Sequence, residues 1–204
     1  MVLGLASGQG IITKLLAYFN SGGPVMYPLV LVSVLMWMLI FERMVTFHGL
    51  EFGDLGMAGL LRWYREQENH EKHNGLRWQI GLFLQRNRSH DRELNNSLLD
   101  ECYLKIKPGI DRNIAAITIL AMISPLLGLL GTVTGMMMTF DVISLFGTGN
   151  ARALAGGISE ALVTTQTGLL VSIPGVFASV LLSMRSRRLI VKLEESLTNL
   201  KRIV

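Results

Sequence analysis

The chain has 204 residues, of which half are hydrophobic and only 17% are charged, and its formal net charge is +4. Because a soluble domain usually carries charge at about a quarter of its positions, this composition argues against a soluble protein. Cys102 is the only cysteine, which excludes an internal disulfide.

Three long stretches of the sequence carry no charged residue, namely 15–41, 113–140 and 161–184. Each is longer than the roughly 20 residues that a helix needs to cross the hydrocarbon core of a membrane. The sequence therefore predicts an all-α membrane protein with three transmembrane helices. Residues 1–13 lack the basic start of a secretory signal peptide, so the first span is expected to remain as an anchor.

Lysine and arginine residues indicate the orientation of these helices. They are concentrated in residues 62–112 and 185–202, whereas the opposite side of the predicted membrane holds only Lys14 and Arg152. Cytoplasmic segments collect basic residues because these resist translocation. The N-terminus is therefore expected outside and the C-terminus inside, and the basic excess indicates topology rather than a nucleic-acid site.

These patterns divide the chain into seven predicted segments. In chain order they are an outer-surface amphipathic helix at 1–24, transmembrane helix 1 at 25–47, a cytoplasmic helical domain at 48–112, transmembrane helix 2 at 113–146, a short periplasmic turn at 147–154, transmembrane helix 3 at 155–184 and a cytoplasmic C-terminal helix at 185–204. Apolar residues at helical spacing support the first of these segments, and Ser21-Gly22-Gly23-Pro24 is expected to end it.

The cytoplasmic segments are expected to be long helices that continue from the membrane. Short helices are predicted at 60–65 and 76–83. An apolar stripe predicts a further helix that leads toward the second span and is bent or interrupted at Pro108-Gly109; the stripe comprises Leu94, Leu98, Leu99, Cys102 and Ile106. Near the C-terminus an a/d seam suits packing beside other helices; it comprises Ile190, Leu193, Leu197, Leu200 and Val204.

The second span contains the run Ser-Pro-Leu-Leu-Gly-Leu-Leu-Gly-Thr-Val-Thr-Gly at 124–135. Gly131 and Gly135 share one helix face, and small residues at this spacing allow helices to approach closely in lipid. Pro125 is expected to kink the helix or to free a carbonyl group that a neighbouring hydroxyl can satisfy. Thr132 could donate a hydrogen bond to a pore or to another helix, so helix packing and ion conduction both remain open here.

The third span contains Glu160, which is the only acidic residue between Ala153 and Met184. A carboxylate in hydrocarbon costs about 2.5–3.5 kcal/mol even on the lenient insertion scale, so it should face a bundle interior. Removal from water disfavours its charged form, and such a group can take up and release protons. Thr164 and Thr167 fall on the same helix face, and Thr165 lies beside them.

A polar face of this breadth is what a hydrated ion path requires. Gln166 extends the polar surface, whereas Gly168 and Pro174 are expected to serve helix packing. The alternative is that Glu160 lies at the outer interface and reaches water, because it stands roughly 37 Å from Arg185 along a helix. Composition and spacing leave both interpretations open.

Residues 124–136 resemble the second-span motif of the ExbB/TolQ/MotA superfamily. Residues 157–175, which read Gly-Ile-Ser-Glu-Ala-Leu-Val-Thr-Thr-Gln-Thr-Gly-Leu-Leu-Val-Ser-Ile-Pro-Gly, resemble the third-span motif of its ExbB and TolQ branch. By this resemblance Glu160 takes the place of the family's third-span glutamate, Thr165 that of its pore threonine, and Thr132 that of its second-span threonine.

The resemblance implies a proton-driven motor of the bacterial inner membrane. It implies a homo-oligomer, expected to be a pentamer, around the transmembrane helices of an ExbD- or TolR-like partner, with a TonB- or TolA-like protein as a further possible component. In that family a partner aspartate carries the proton, and proton flow is thought to drive rotation of the partner. Such work would power outer-membrane transport or envelope maintenance.

Several departures and alternatives remain open. The run 164–167 is more polar than the usual alanine-rich stretch, and hydroxyl and amide oxygens also suit Na⁺, so the ion is expected to be H⁺ with Na⁺ as the alternative. A non-conducting scaffold and a Na⁺-driven stator-type channel are the other candidates, although stator subunits have four spans.

No phosphate-binding or nucleophile–base pattern predicts an enzyme, and no cofactor is expected. His70 and His73 with Glu66 lie in polar sequence without a nearby cysteine and do not predict a metal site.

Overall fold

A computed structural model describes residues 10, 13–14, 16–52, 56, 75–87 and 92–202. In these residues the regular structure is helical, which confirms the predicted all-α class. The helices are α1 (Met26–Phe52), α2 (Leu76–Asn87), α3 (Arg92–Asp111), α4 (Ile114–Phe146) and α5 (Ala151–Lys201), with a short 3₁₀ turn at Gly147–Gly149 before α5.

Among the residues that the structure describes, three helical stretches are long and apolar enough to cross a membrane, which confirms the predicted number of spans. They are Met26–Glu51, Leu94–Gly149 and Ala151–Lys201. The third span and the C-terminal helix are one continuous helix, α5, as the prediction of long helices reaching beyond the membrane requires. The outside position of the N-terminus and the segment boundaries given above stay predictions.

The chain forms two compact units. The first comprises residues 1–38 and 116–177, and the second comprises residues 39–115 and 178–204. In the first unit residues 16–21 are helical, and the chain then turns at Gly22 and Gly23 before α1 begins. The backbone N–H of Met26 donates to the carbonyl of Gly23 at 3.2 Å. Residues 11, 12 and 15 of the predicted amphipathic helix lie outside the described residues.

The break between α3 and α4 lies at Arg112–Asn113, so an interruption at Pro108-Gly109 was wrong, whereas the bend predicted there as the alternative stays a prediction. A proline inside a helix removes only one backbone donor, and α3 continues past it to Asp111. The helix ends where Asn113 adopts a positive φ of 62°, a conformation that asparagine tolerates better than most residues. The side-chain amide of Asn113 donates to Oε2 of Glu42 at 2.8 Å.

The same break leaves the carbonyl group of Gly109 at a helix end, where it has no partner within the helix. Nη1 of Arg43 donates to this carbonyl at 3.0 Å, and the Arg43 side chain is only 2% exposed. A buried cation at the C-terminal end of α3 also suits the negative end of the helix dipole. Residues from α1 therefore hold the α3–α4 junction in place.

The second unit is held together by α2, α3 and the C-terminal part of α5. Its buried apolar side chains include Ile80, Leu99, Cys102, Ile110, Leu189, Leu193, Leu197 and Leu200. Tyr103 donates to Glu194 at 2.8 Å, and Nε of Arg77 donates to the hydroxyl of Ser196 at 3.1 Å. These contacts place the predicted C-terminal seam against neighbouring helices.

The apolar stripe of α3 differs in part from its prediction. Leu99 and Cys102 are fully buried, but Leu94 is half exposed and Asn95 is buried in its stead. The face of α3 that packs inward is therefore rotated relative to the predicted one. The predicted helix at 60–65, the residues His70, His73 and Glu66, and Val204 lie outside the described residues.

The thiol of Cys102 is expected to be chemically inert in the folded protein. Burial raises the pKa of this thiol from 9.0 to about 12, and the reactive form of cysteine is the thiolate, whose fraction falls as the pKa rises. At pH 8 the thiolate fraction is then roughly a thousandfold lower than for a thiol of unshifted pKa. Maleimide labelling of the native chain at pH 8, followed by mass spectrometry, should leave Cys102 unmodified, whereas unfolding in denaturant should expose it. Rapid labelling of the folded chain would contradict this packing.

Candidate functional site

The middle parts of α4 and α5 pack closely because small residues face each other along both helices. A Cβ atom on Gly168 would lie 2.8 Å from the carbonyl oxygen of Ser124 and 3.0 Å from the Cα of Gly128. A Cβ atom on Gly128 would lie 3.1 Å from the carbonyl oxygen of Thr164. The 2.8 Å distance is too short for a Cβ atom, and the other two are shorter than most Cβ contacts, so the two backbones lie close together at this level.

The contact continues toward the α4–α5 turn. A Cβ atom on Gly135 would lie 2.7 Å from the carbonyl oxygen of Gly157 and 2.8 Å from the backbone nitrogen of Ala161, and one on Gly131 would overlap the side chain of Thr164. In α4 the small residues of this surface are Gly128, Gly131, Gly135 and Thr139, and in α5 they are Gly157, Ala161, Thr164, Gly168 and Ser172. We call this surface the small-residue seam.

Pro125 shapes the end of the small-residue seam that lies nearer the start of α4. Proline has no N–H, so the carbonyl of Ala121, four residues earlier, loses its helical partner. The hydroxyl of Ser172 donates to this carbonyl at 2.9 Å. The gap that Pro125 leaves in α4 is thus closed by a hydroxyl from α5. Pro174 also lies within α5, and the adjacent Gly175 has no room for a Cβ beside Met36 and Ala121.

Glu160 is buried against the turn that precedes α1. Its side chain is 9% exposed, and none of the described residues donates a hydrogen bond to its Oε1 atom. A Cβ atom on Gly23 would overlap Oε1, and the positive φ of 63° at Gly23 also favours glycine there. The acidic side chain is therefore covered by a turn that only glycine can form at this distance.

The predicted threonines occupy different places around Glu160. Thr164 is fully buried in the small-residue seam, and its hydroxyl donates to the backbone carbonyls of Glu160 and Ala161, each at 3.0 Å. The hydroxyl of Thr167 donates to the carbonyl of Val163 at 2.7 Å, so Tyr18, 3.0 Å away, is the donor in their contact. Within one subunit, Thr164 and Thr167 thus contact their own chain.

Thr165 and Thr132 are only partly buried. The Thr165 hydroxyl lies 3.1 Å from the carbonyl of Ala161 and 3.3 Å from the carbonyl of Gly128, so it links α5 to α4. The Thr132 hydroxyl donates to the carbonyl of Leu129 at 2.6 Å. Each hydroxyl oxygen keeps lone pairs that can accept a hydrogen bond from water. The participation of the five predicted residues in an ion path stays a prediction.

A cleft of about 380 Å³ opens beside Glu160. Its polar lining residues come from two segments of the chain. Asn20 and Ser21 belong to the N-terminal helical segment, and Ser159 and Glu160 belong to α5. The remaining lining residues are Met138, Val142, Ala153, Gly156 and Gly157. The acidic side chain therefore lies at the edge of a space that is large enough for water.

Comparison with known proteins shows which family the chain belongs to. The model of the MotA/TolQ/ExbB proton channel family matches residues 66–195, which is more than half of the chain. The chain belongs to this family. The match includes α4 and the membrane part of α5 with the small-residue seam and Glu160, and it confirms the resemblance found in the two motifs.

Individual relatives agree with the family. A Synechocystis protein named ExbB-like 1 is 33% identical over 192 residues, which cover 86% of this chain and 74% of the relative. The biopolymer transport protein exbB1 of Vibrio cholerae is 43% identical over 82 residues, or 40% of this chain and 36% of the relative. The Tol-Pal system protein TolQ of Haemophilus influenzae is 37% identical over 77 residues, or 38% of this chain and 34% of the relative. Membership identifies the chain as a membrane protein of a proton-channel family.

Several residues around the site had no place in the sequence interpretation. Gly128 could have been found, because it continues the spacing of Gly131 and Gly135 by one turn. The Ser21-Gly22-Gly23-Pro24 run was recognised only as a helix end, although a glycine pair also permits a backbone that approaches another group closely. The contact between Tyr18 and Thr167 joins residues 149 positions apart, and no local pattern indicates it.

Proposed function

We propose that copies of this chain form the conducting part of a proton-driven motor in the bacterial inner membrane, with Glu160 as a proton-exchanging group. The observation that supports this most is the burial of Glu160 with an oxygen atom that no described residue satisfies. Leaving a buried polar group unsatisfied is costly, and such groups in native proteins commonly have a functional role.

The chemistry of a carboxyl group suits this role. In a membrane-spanning segment its neutral form is tolerated and its charged form is costly, so uptake and release of a proton change its preferred surroundings. A group of this kind can exchange a proton with water on one side and with a second acidic group on the other. Each proton that crosses the membrane supplies about 2.3 kcal/mol per 100 mV.

The half-buried hydroxyls of Thr165 and Thr132 would extend the route beyond Glu160. Both donate their hydrogen to backbone carbonyls, which leaves their oxygen atoms available as acceptors for water. Thr164 and Thr167 would contribute differently, because their hydroxyls lie inside the subunit and hold the backbone of α5 around Glu160.

The exposed faces of the spans support assembly with other chains. Large apolar side chains cover the free faces of α4 and α5, including Leu126, Leu130, Leu162, Leu169 and Ile173. Lipid can cover such a face, and so can further copies of the chain or the helix of a partner. We propose a ring, by family likeness a pentamer, that surrounds single-span helices of an ExbD- or TolR-like partner and passes force to a TonB- or TolA-like protein.

The ring can be tested by producing and purifying the chain together with an ExbD- or TolR-like single-span protein from the same organism. Native mass spectrometry should give a fixed number of copies, expected to be five, together with bound partner, and a density map should show partner helices enclosed by α4 and α5. A particle whose centre is filled by side chains of this chain alone would contradict the proposal. An unrelated single-span protein produced at the same level is the control for specific enclosure.

A further inference from the structure

The cleft beside Glu160 has a function of its own in this account. We propose that it is the outer access route of Glu160, which lets water and protons reach the carboxyl group through the side of a single subunit instead of through the space enclosed by the ring. This inference rests on the proposed proton exchange at Glu160, and it adds where that exchange takes place.

The lining of the cleft supports this assignment. Asn20 contributes an amide, and Ser21 and Ser159 contribute hydroxyls, so donors and acceptors surround the space on two sides. The Ser21 hydroxyl donates to the carbonyl of Ala17 at 2.8 Å, which leaves its oxygen as an acceptor. A volume of about 380 Å³ far exceeds the ~30 Å³ that one water occupies in the liquid. The cleft also has an apolar part, formed by Met138, Val142 and Ala153, but its amide, hydroxyl and carboxyl groups give water the polar partners that it needs.

The buried acid supplies the second, independent observation. Glu160 lines the cleft, is nine-tenths buried and has an Oε1 atom without a partner among the described residues. Oε1 is closed off from water in this conformation, so a rotation of the Glu160 side chain toward the cleft would bring the unpartnered oxygen to water there. In this proposal, water in the cleft reaches the one acidic side chain of the third span after that rotation.

The Gly22–Gly23 turn forms the wall at the end of this route. Because Gly23 lies against Oε1 without a Cβ, the carboxyl group is enclosed on that side, and residue Glu160 lines the cleft. The edge-to-face contact of Phe19 with Tyr27, with ring centroids 5.1 Å apart, holds the N-terminal segment beside the start of α1. Tyr18 attaches the same segment to Thr167 on α5. The turn is thus fixed at both ends.

Cysteine accessibility in cells tests the route with the complete complex. Asn20→Cys and Ser159→Cys should react with a positively charged, membrane-impermeant methanethiosulfonate added from outside, as should Thr148→Cys in the exposed turn. Thr164→Cys, buried in the small-residue seam, should not react. The unsubstituted chain provides the blank, since its one thiol is buried.

The second measurement detects chemical modification of the Glu160 carboxyl group. A water-soluble carbodiimide with an amine nucleophile should modify Glu160 from outside, as read by mass spectrometry of its peptide, and prior blocking of Ser159→Cys should abolish that modification. Unreactive cleft cysteines beside a reactive Thr148→Cys would overturn the proposal, as would modification of Glu160 that persists after blocking. A lack of reaction at Thr148→Cys would place the cleft on the inner side and overturn the outer assignment.

These readouts do not depend on proton-driven work. If the cleft labels as expected while Glu160→Gln still performs work, the access route stands and the proposed function fails. If Glu160→Gln loses work while the cleft proves closed, the function stands and the route is wrong.

Discussion

Glu160→Gln is expected to leave the complex assembled and to abolish its proton-driven work. Glutamine has nearly the shape of glutamate, so the contact with Gly23 and the packing of α5 should survive, but its amide cannot take up and release a proton. A positioned group that transfers protons commonly contributes a factor of roughly 100 or more, and a loss of that order is expected here. Complementation of a deletion strain measures the work, and copurification of the partner measures assembly.

Asp141→Asn is the matched control for this prediction. It makes the same chemical change at an exposed acid near the end of α4, and neither work nor assembly should change. The alternative that this chain is a non-conducting scaffold gives the opposite pattern for Glu160→Gln, because a pairing group would matter for assembly first. Weakened assembly, or full activity of a well-expressed Glu160→Ala chain, would contradict the role proposed for Glu160.

Gly168→Ala is expected to destabilise the first unit although it adds only one methyl group. The new Cβ would lie 2.8 Å from the carbonyl oxygen of Ser124 and 3.0 Å from the Cα of Gly128, and these are backbone atoms that cannot rotate away. Overpacking of this kind costs about 1–3 kcal/mol. The apparent Tm in detergent, followed by the helical circular dichroism signal, should fall by about 5 °C.

Gly156→Ala is the control on the same helix. Apart from its chain neighbours and the nearby backbone of its own helix, no atom of the described residues lies within 4 Å of the position its Cβ would take. Alanine is favoured over glycine inside a helix by roughly 0.5–1 kcal/mol, so this variant should be as stable as the original chain or slightly more stable. Equal losses in both variants would contradict the assignment of the loss at Gly168 to the close contact of α4 with α5, because helix propensity favours alanine at both positions.

The membrane-spanning helices could be predicted because the condition for crossing a membrane concerns only one continuous stretch of sequence. A helix must present about 20 uncharged residues to cross hydrocarbon, and residues 15–41, 113–140 and 161–184 meet that condition without reference to the rest of the chain. Glu160 stood out for the same reason, as a single acid within such a stretch. The motifs at 124–136 and 157–175 then pointed to the family whose model matches residues 66–195.

Features that depend on distant residues could not be predicted in this way. The α3–α4 break lies at Asn113 and not at the proline, because the junction is held by Glu42 and Arg43 from another helix. The shared helix face of Glu160, Thr164 and Thr167 was deduced from periodicity, but periodicity does not say what that face meets. In the structure it meets the Gly22–Gly23 turn, Gly131 and Tyr18, all of the same subunit.

Proton uptake by the purified complex in liposomes is the most direct test of whether Glu160 exchanges protons. With a pH-sensitive dye inside and an imposed inside-negative potential, the complete complex should acidify the interior, and the complex that carries Glu160→Gln should do so no faster than liposomes without protein. Equal acidification by the two complexes would contradict the account.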